Sequence, residues 1–303
     1  MPIVYVHGVA IRDEQPPQSE TDDEKLFDLM SKNITWPIVE GHLRKHVAPV
    51  LSANPDSVAL LHAYWGDLGG KLAWDGASCL SKDYALEHDV LNISTILDRS
   101  KLAIDLRYPL NHLIAYFMGD VFTYLANRGD AENPGAIPCR ILDILFEASE
   151  IKKKTGEPLV ALTNSLGCEI MYDIVTYFLP KIEKYRSIKV DFWCGVASQV
   201  GLFEELKLFL ASNKDYSGDK GNRVPFPPSE HLGAWWNVWD IEDVISFSVG
   251  DIIEGVDDNP YRVGKTFLDR HIGYLQEERF YETLAKWIGT KLSARNDENW
   301  ESV

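Results

Sequence analysis

Short apolar runs rich in β-branched and aromatic residues alternate along the chain with longer stretches in which apolar positions recur every three or four residues. The short runs read as buried strands and the longer periodic stretches as helices. Strands are expected at Ile3 to His7, Ser57 to Tyr64, Leu159 to Leu162, Ile188 to Cys194 and Trp235 to Trp239. Helices are expected at Trp36 to Leu51, Leu91 to Asn127 with a break at Pro109, Pro138 to Thr155, Leu166 to Lys184, Leu202 to Ser212, and Gln276 to Leu292. This alternation predicts the α/β class, a mostly parallel sheet covered by helices. Lys152, Lys153 and Lys154 in the last turn of one helix, with Gly156 beyond, match a helix dipole and a glycine cap.

Arg12 to Asp23, Asn213 to Gly233 and Asp251 to Lys265 are polar, rich in turn residues, and read as loops. No low-complexity linker divides the chain, so a single domain over residues 1–303 is expected. The stretch from Trp65 to Asn133 separates two strands by far more than one crossover helix needs, which marks residues 65–133 as a helical insertion or cap.

Composition narrows the function. Thirty basic against 46 acidic residues leave a net charge of −16, which repels nucleic-acid phosphates and anionic lipid headgroups. No nucleic-acid partner is therefore expected, and because no run approaches the roughly 18 consecutive apolar residues a membrane span needs, no integral membrane association is expected either. Met1 and Pro2 lead directly into the first apolar run with no basic segment or cleavage signal, so the mature chain is expected to begin near residue 1. Cys79, Cys139, Cys168 and Cys194 show no CxxC spacing and sit among apolar neighbours. They read as reduced thiols of a cytoplasmic protein.

Pro158 to Asn164 runs as an apolar strand into Ser165-Leu166-Gly167 and then directly into a helix. A strand, a tight turn and a helix around a serine, with small residues beside it, is the setting of a nucleophile elbow. Other residues suited to chemistry follow or end strands. His7-Gly8-Val9 closes the first, and Asp240, Glu242 and Asp243 follow the fifth, the carboxyl end where α/β sheets carry their sites. Asp269-Arg270-His271-Ile272-Gly273-Tyr274 precedes the last amphipathic helix, and His271 is the one histidine C-terminal to Asp243.

With these residues in this order, the chain resembles the α/β-hydrolase superfamily, and within it the lipase- and esterase-like serine hydrolases. The likeness rests on His7-Gly8-Val9, Thr163-Asn164-Ser165-Leu166-Gly167, Asn237 to Val244, and His271 with Tyr274. Gly195-Val196-Ala197-Ser198-Gln199-Val200-Gly201 is a further echo. Thr163 and Asn164 depart from the family pattern, which has Gly and often His there. The first expected strand already carries the oxyanion-loop motif, which implies a compact sheet of about six parallel strands.

The resemblance implies Ser165 as nucleophile, His271 as base and Asp243 as the acid that orients it, with Asp240 and then Glu242 as alternatives. It implies an oxyanion hole from the Val9 and Leu166 amides, supported by His7, Gly8 and Gly167. The expected function is cleavage of a carboxylic ester of a lipophilic or acyl substrate, without metal or organic cofactor. The alternatives are a hydrolase fold serving as a binding or assembly module with a protein partner, and a peptidase or amidase.

Other signals are weaker. His42 and His46 have helical metal-pair spacing but no HExxH glutamate, and read as a solvated helix face. Gly66 to Lys71 fails the phosphate-loop spacing, and Asp257-Asp258-Asn259 reads as a polar turn before Pro260 rather than a calcium loop. Trp65, Trp74, Trp235, Trp236 and Trp239 read as core or pocket lining.

Overall fold

A computed structural model describes residues 1–9, 11, 36–70, 117–219, 221–263, 270–271 and 273–298. Among the described residues, six strands form one sheet: β1 (Pro2–Val6), β2 (Ala59–Ala63), β3 (Val160–Asn164), β4 (Val190–Val196), β5 (Leu232–Trp239) and β6 (Asp257–Pro260). The order is β2-β1-β3-β4-β5-β6 and every pairing is parallel. The five strands read from the sequence are present, shifted by up to three residues at their ends.

Helices cover both faces, as a parallel sheet requires. On one face lie α1 (36–51) and the C-terminal α6 (Glu278–Glu298), which pack Val39, Leu43, Phe280 and Leu284 against Ile3, Tyr5, Leu162 and Trp236. On the other lie α2 (117–127), α3 (Ala136–Thr155), α4 (166–181) and α5 (Val200–Glu205), over Val4, Val6, Ala161 and Trp193. Successive strand residues point to opposite faces, so both sets are buried. Two helices carry a π-turn, Leu43–Val47 within α1 and Ile174–Phe178 within α4. Helix α3 ends as its sequence dictates, with Gly156 at φ 71° donating to the Lys152 carbonyl.

Two elements differ from the sequence reading. Asp257–Pro260, expected as loop, is β6, an edge strand whose polar residues stay partly exposed. Its Asp258 carboxylate accepts from the Val249 and Gly250 amides and from Asn237 Nδ2, so side-chain bonds replace the missing apolar pattern. The helix expected to reach Ser212 stops at Glu205. Lys207 turns to φ 57°, and the carboxylates of Asp173 and Glu204 take the Leu210 and Asn213 amides away from a helical ladder.

Of the expected insertion, residues 71–116, with Trp74, Cys79 and most of the Leu91 to Asn127 helix, lie outside the described residues. Within the described part, α2 buries Val121 and Tyr124 in the core, while Phe122 faces solvent. Cys139, Cys168 and Cys194 are free thiols. No helix among the described residues is long and apolar enough to cross a membrane.

The chain moves from β1 to β2 on one side and later returns to place β3 on the other side of β1. The carboxyl ends of β1 and β3 therefore bound a topological switch point, where α/β sheets open a crevice. Val6 pairs with Thr163, so the residues just beyond, Gly8 and Ser165, meet there.

A Cβ on Gly167 would lie 2.5 Å from the Val6 carbonyl oxygen and 2.7 Å from that of His7, both backbone atoms. Gly167→Ala is expected to force the start of α4 off β1 and lower stability by about 1–3 kcal/mol, the range for overpacking. Urea-unfolding midpoints of the two proteins check this.

Candidate active site

Ser165 joins β3 to α4 at φ 49° and ψ −131°, a conformation unfavourable for a residue with a Cβ. Such an outlier costs of order 1–3 kcal/mol and persists only where its surroundings over-determine it. Here the Ser165 amide donates to the Val196 carbonyl and the Ser165 carbonyl accepts from the Cys168 amide. Gly8 packs so closely that a Cβ there would lie 2.8 Å from Ser165 Cβ. Both glycines of the expected motif are thus required by backbone approach.

Thr163 occupies the position where glycine is usual, and its neighbours make room for it. Its cross-strand partner on β4 is Gly195. The Thr163 hydroxyl accepts from the Trp193 indole N–H at 2.8 Å and donates to Cys168 Sγ at 3.0 Å.

Ser165, His271 and Asp243 lie in one hydrogen-bonded line. His271 Nε2 is 3.1 Å from Ser165 Oγ, and His271 Nδ1 is 2.7 Å from Asp243 Oδ2. All three residues are buried. The other Asp243 oxygen accepts the Ile245 amide, which holds the carboxylate in its turn.

The alternative acids are engaged elsewhere. Asp240 accepts the Glu242 and Val263 amides and, with Glu242, faces the Arg270 guanidinium. Arg270 adjoins His271, so Asp240 and Glu242 anchor the segment that carries the histidine. The sequence reading did not single out Arg270. Its signal was a cation beside the one late histidine and an acid-rich turn.

His7 is fully buried and stacks on Trp65 at 4.9 Å. Its Nε2 accepts from the Trp65 backbone N–H, so that nitrogen carries no proton. The proton is then on Nδ1, which donates to the Gly8 carbonyl at 2.6 Å. This bond fixes the Gly8–Val9 peptide, and with it the direction of the Val9 N–H. Among the described residues that N–H has no acceptor. Leu166 opens α4, so its N–H has no intrahelical acceptor either and lies at the positive end of the helix dipole. Tyr274 is a fully buried core residue whose ring lies 6.3 Å from that of Tyr261.

Behind the serine, Glu169 is fully buried and accepts the Gln199 amide at 2.7 Å. Burial raises its carboxyl to about 8. The folded chain therefore keeps this proton at pH values where the unfolded chain has lost it. The stabilisation is present below the ordinary glutamate range and is lost as pH rises towards 8. Glu169→Gln, which retains an acceptor for Gln199, is expected to flatten the fall of stability with pH between 5 and 8 by about one proton. Unfolding midpoints across that range test it, and parallel curves for the two proteins contradict it.

Comparison with protein-family models, with curated proteins and with solved structures gives no match to this chain.

Proposed function

We propose that the chain is a serine hydrolase of the α/β-hydrolase type that cleaves carboxylic esters with a lipophilic acyl group. The observation that carries this reading is the Ser165–His271–Asp243 line at 3.1 and 2.7 Å, with its serine on a strained turn at the sheet's switch point. Hydroxyl, imidazole and carboxylate at these distances suit acyl transfer.

In this reading His271 Nε2 takes the Ser165 proton as Oγ attacks the ester carbonyl carbon. Asp243 holds the imidazole with its proton on Nδ1 and stabilises the imidazolium that forms. The Val9 and Leu166 amides receive the oxyanion. His271 then gives its proton to the departing alkoxide, leaving an acyl group on Ser165. Water, deprotonated by the same imidazole, attacks the acyl carbon, the bond to Oγ breaks and Ser165 recovers its proton. The net charge of −16 disfavours polyanionic substrates, and Ile241 and Val244, exposed on the turn that carries Asp243, favour an apolar one.

An alkyl fluorophosphonate tests the nucleophile. Stoichiometric labelling of the wild type that disappears in Ser165→Ala is expected. A folded wild type that stays unlabelled would favour a binding or assembly role for the same fold.

A further inference from the structure

His42 and His46 gain in the fold the third ligand that their own helix lacks. Helix α6 begins at Glu278, and its carboxylate meets both imidazoles across the α1–α6 contact. One donor atom from each of the three residues lies within 4.8 Å of the others. Around a tetrahedral ion with bonds of about 2.0–2.2 Å, donors stand about 3.4 Å apart, so binding requires the three donors to draw together by no more than about 1.4 Å.

The two imidazoles are differently placed. The His42 ring lies flat on Tyr281 at 4.8 Å, which limits its rotation. His46 Nε2 is buried, has no hydrogen-bond partner among the described residues, and lies 3.9 Å from Glu278 Oε1. A nitrogen left unpaired beside a carboxylate is what an unmet ligand atom looks like, because protein folds rarely leave such atoms unsatisfied. His46 also lines an open groove between α1 and α6, a route for an ion from solvent.

We propose that His42, His46 and Glu278 bind a divalent ion of the zinc class. Two nitrogens and one carboxylate oxygen suit zinc or cobalt better than calcium or magnesium, which prefer oxygen alone. Three protein ligands leave a position for water. The resident competitor is Lys45, whose ammonium bonds Glu278 Oε1 at 2.5 Å from an exposed position and must swing aside. Glu278 lies seven positions beyond His271, so the ion clamps α1 to the segment that follows this histidine.

The test titrates chelator-treated full-length protein with zinc by calorimetry and with cobalt by visible absorption. One ion per chain at micromolar affinity, a rise in thermal midpoint with zinc, and a tetrahedral cobalt spectrum are expected. His42→Asn, His46→Asn and Glu278→Gln should each weaken binding by at least about tenfold, as loss of a ligand costs no less than loss of a supporting residue. Lys45→Met should tighten it. Circular dichroism of the metal-free variants separates lost binding from lost folding. Failure of the wild type to bind, zinc affinity unchanged in a folded His42→Asn/His46→Asn double variant, or weaker binding by Lys45→Met overturns the proposal. Because the readout is binding, it is independent of whether Ser165 labels.

Discussion

Ser165→Ala is expected to reduce hydrolysis of a short-chain aryl ester by about 10⁶-fold while leaving the fold intact, the loss seen when one member of a nucleophile–base pair is removed. The size follows from the geometry. His271 Nε2 is 3.1 Å from Ser165 Oγ and can remove its proton, but it has no substitute nucleophile to act on once Oγ is gone. His271→Ala should therefore be about as severe, and the double variant little worse than either, because the two side chains act as a unit. Retained fold is expected because the serine hydroxyl is not what holds the turn. That work falls to the Ser165 amide, the Val196 carbonyl and the close approach of Gly8. Steady-state kinetics with circular dichroism decide the matter, and activity in Ser165→Ala near that of the wild type would move the nucleophile elsewhere.

Asp243→Asn is expected to lower kcat by about 10⁴-fold. An asparagine in the same place can offer Nδ2 to His271 Nδ1, which favours the tautomer with the proton on Nε2, the nitrogen that must accept from Ser165. Asp240→Asn provides the contrast. Asp240 serves the Val263 and Glu242 amides and the Arg270 guanidinium, so its loss should show first in stability and only secondarily in rate. A dead Asp240→Asn beside an active Asp243→Asn would exchange their roles.

Strand-forming runs were legible wherever both faces of a strand are buried. Ile3 to Val6, Val160 to Leu162 and Phe192 to Cys194 are apolar at successive positions because helices cover both sides. The same rule hides β6, whose Asp257, Asp258 and Asn259 lie on an edge and which is secured by the Asp258 carboxylate accepting from the Val249 and Gly250 amides in the loop before it. The end of α5 was hidden for a related reason. Helical periodicity continues past Glu205, but Asp173, in another helix, captures the Leu210 amide, and no local pattern announces that.

At the site, chain order and small residues pointed to Ser165, Gly8 and Gly167, whose backbones do approach closely. The choice between Asp243 and Asp240 needed coordinates, since the two lie three residues apart on one turn and differ only in which neighbour, His271 or Arg270, each faces. The third member of the His42–His46 group was beyond any local reading, because Glu278 lies more than 230 residues away in the sequence from either imidazole. The expectation of a cap over Ser165 falls largely on residues outside the described chain.

The contact between Ser165 and His271 spans 106 residues, and Gly8 reaches the same point from the other end of the chain. Loops of that size close slowly and only against the entropy of the intervening polypeptide. A ribosome-bound chain that has emerged as far as β5 holds a serine on its turn but no imidazole to activate it. In the proposed reading, competence for catalysis thus waits for the segment that carries His271. In the serine-hydrolase reading proposed above, turnover would report that β1, β3 and the segment carrying His271 have all come together, and products truncated before His271 would be inert.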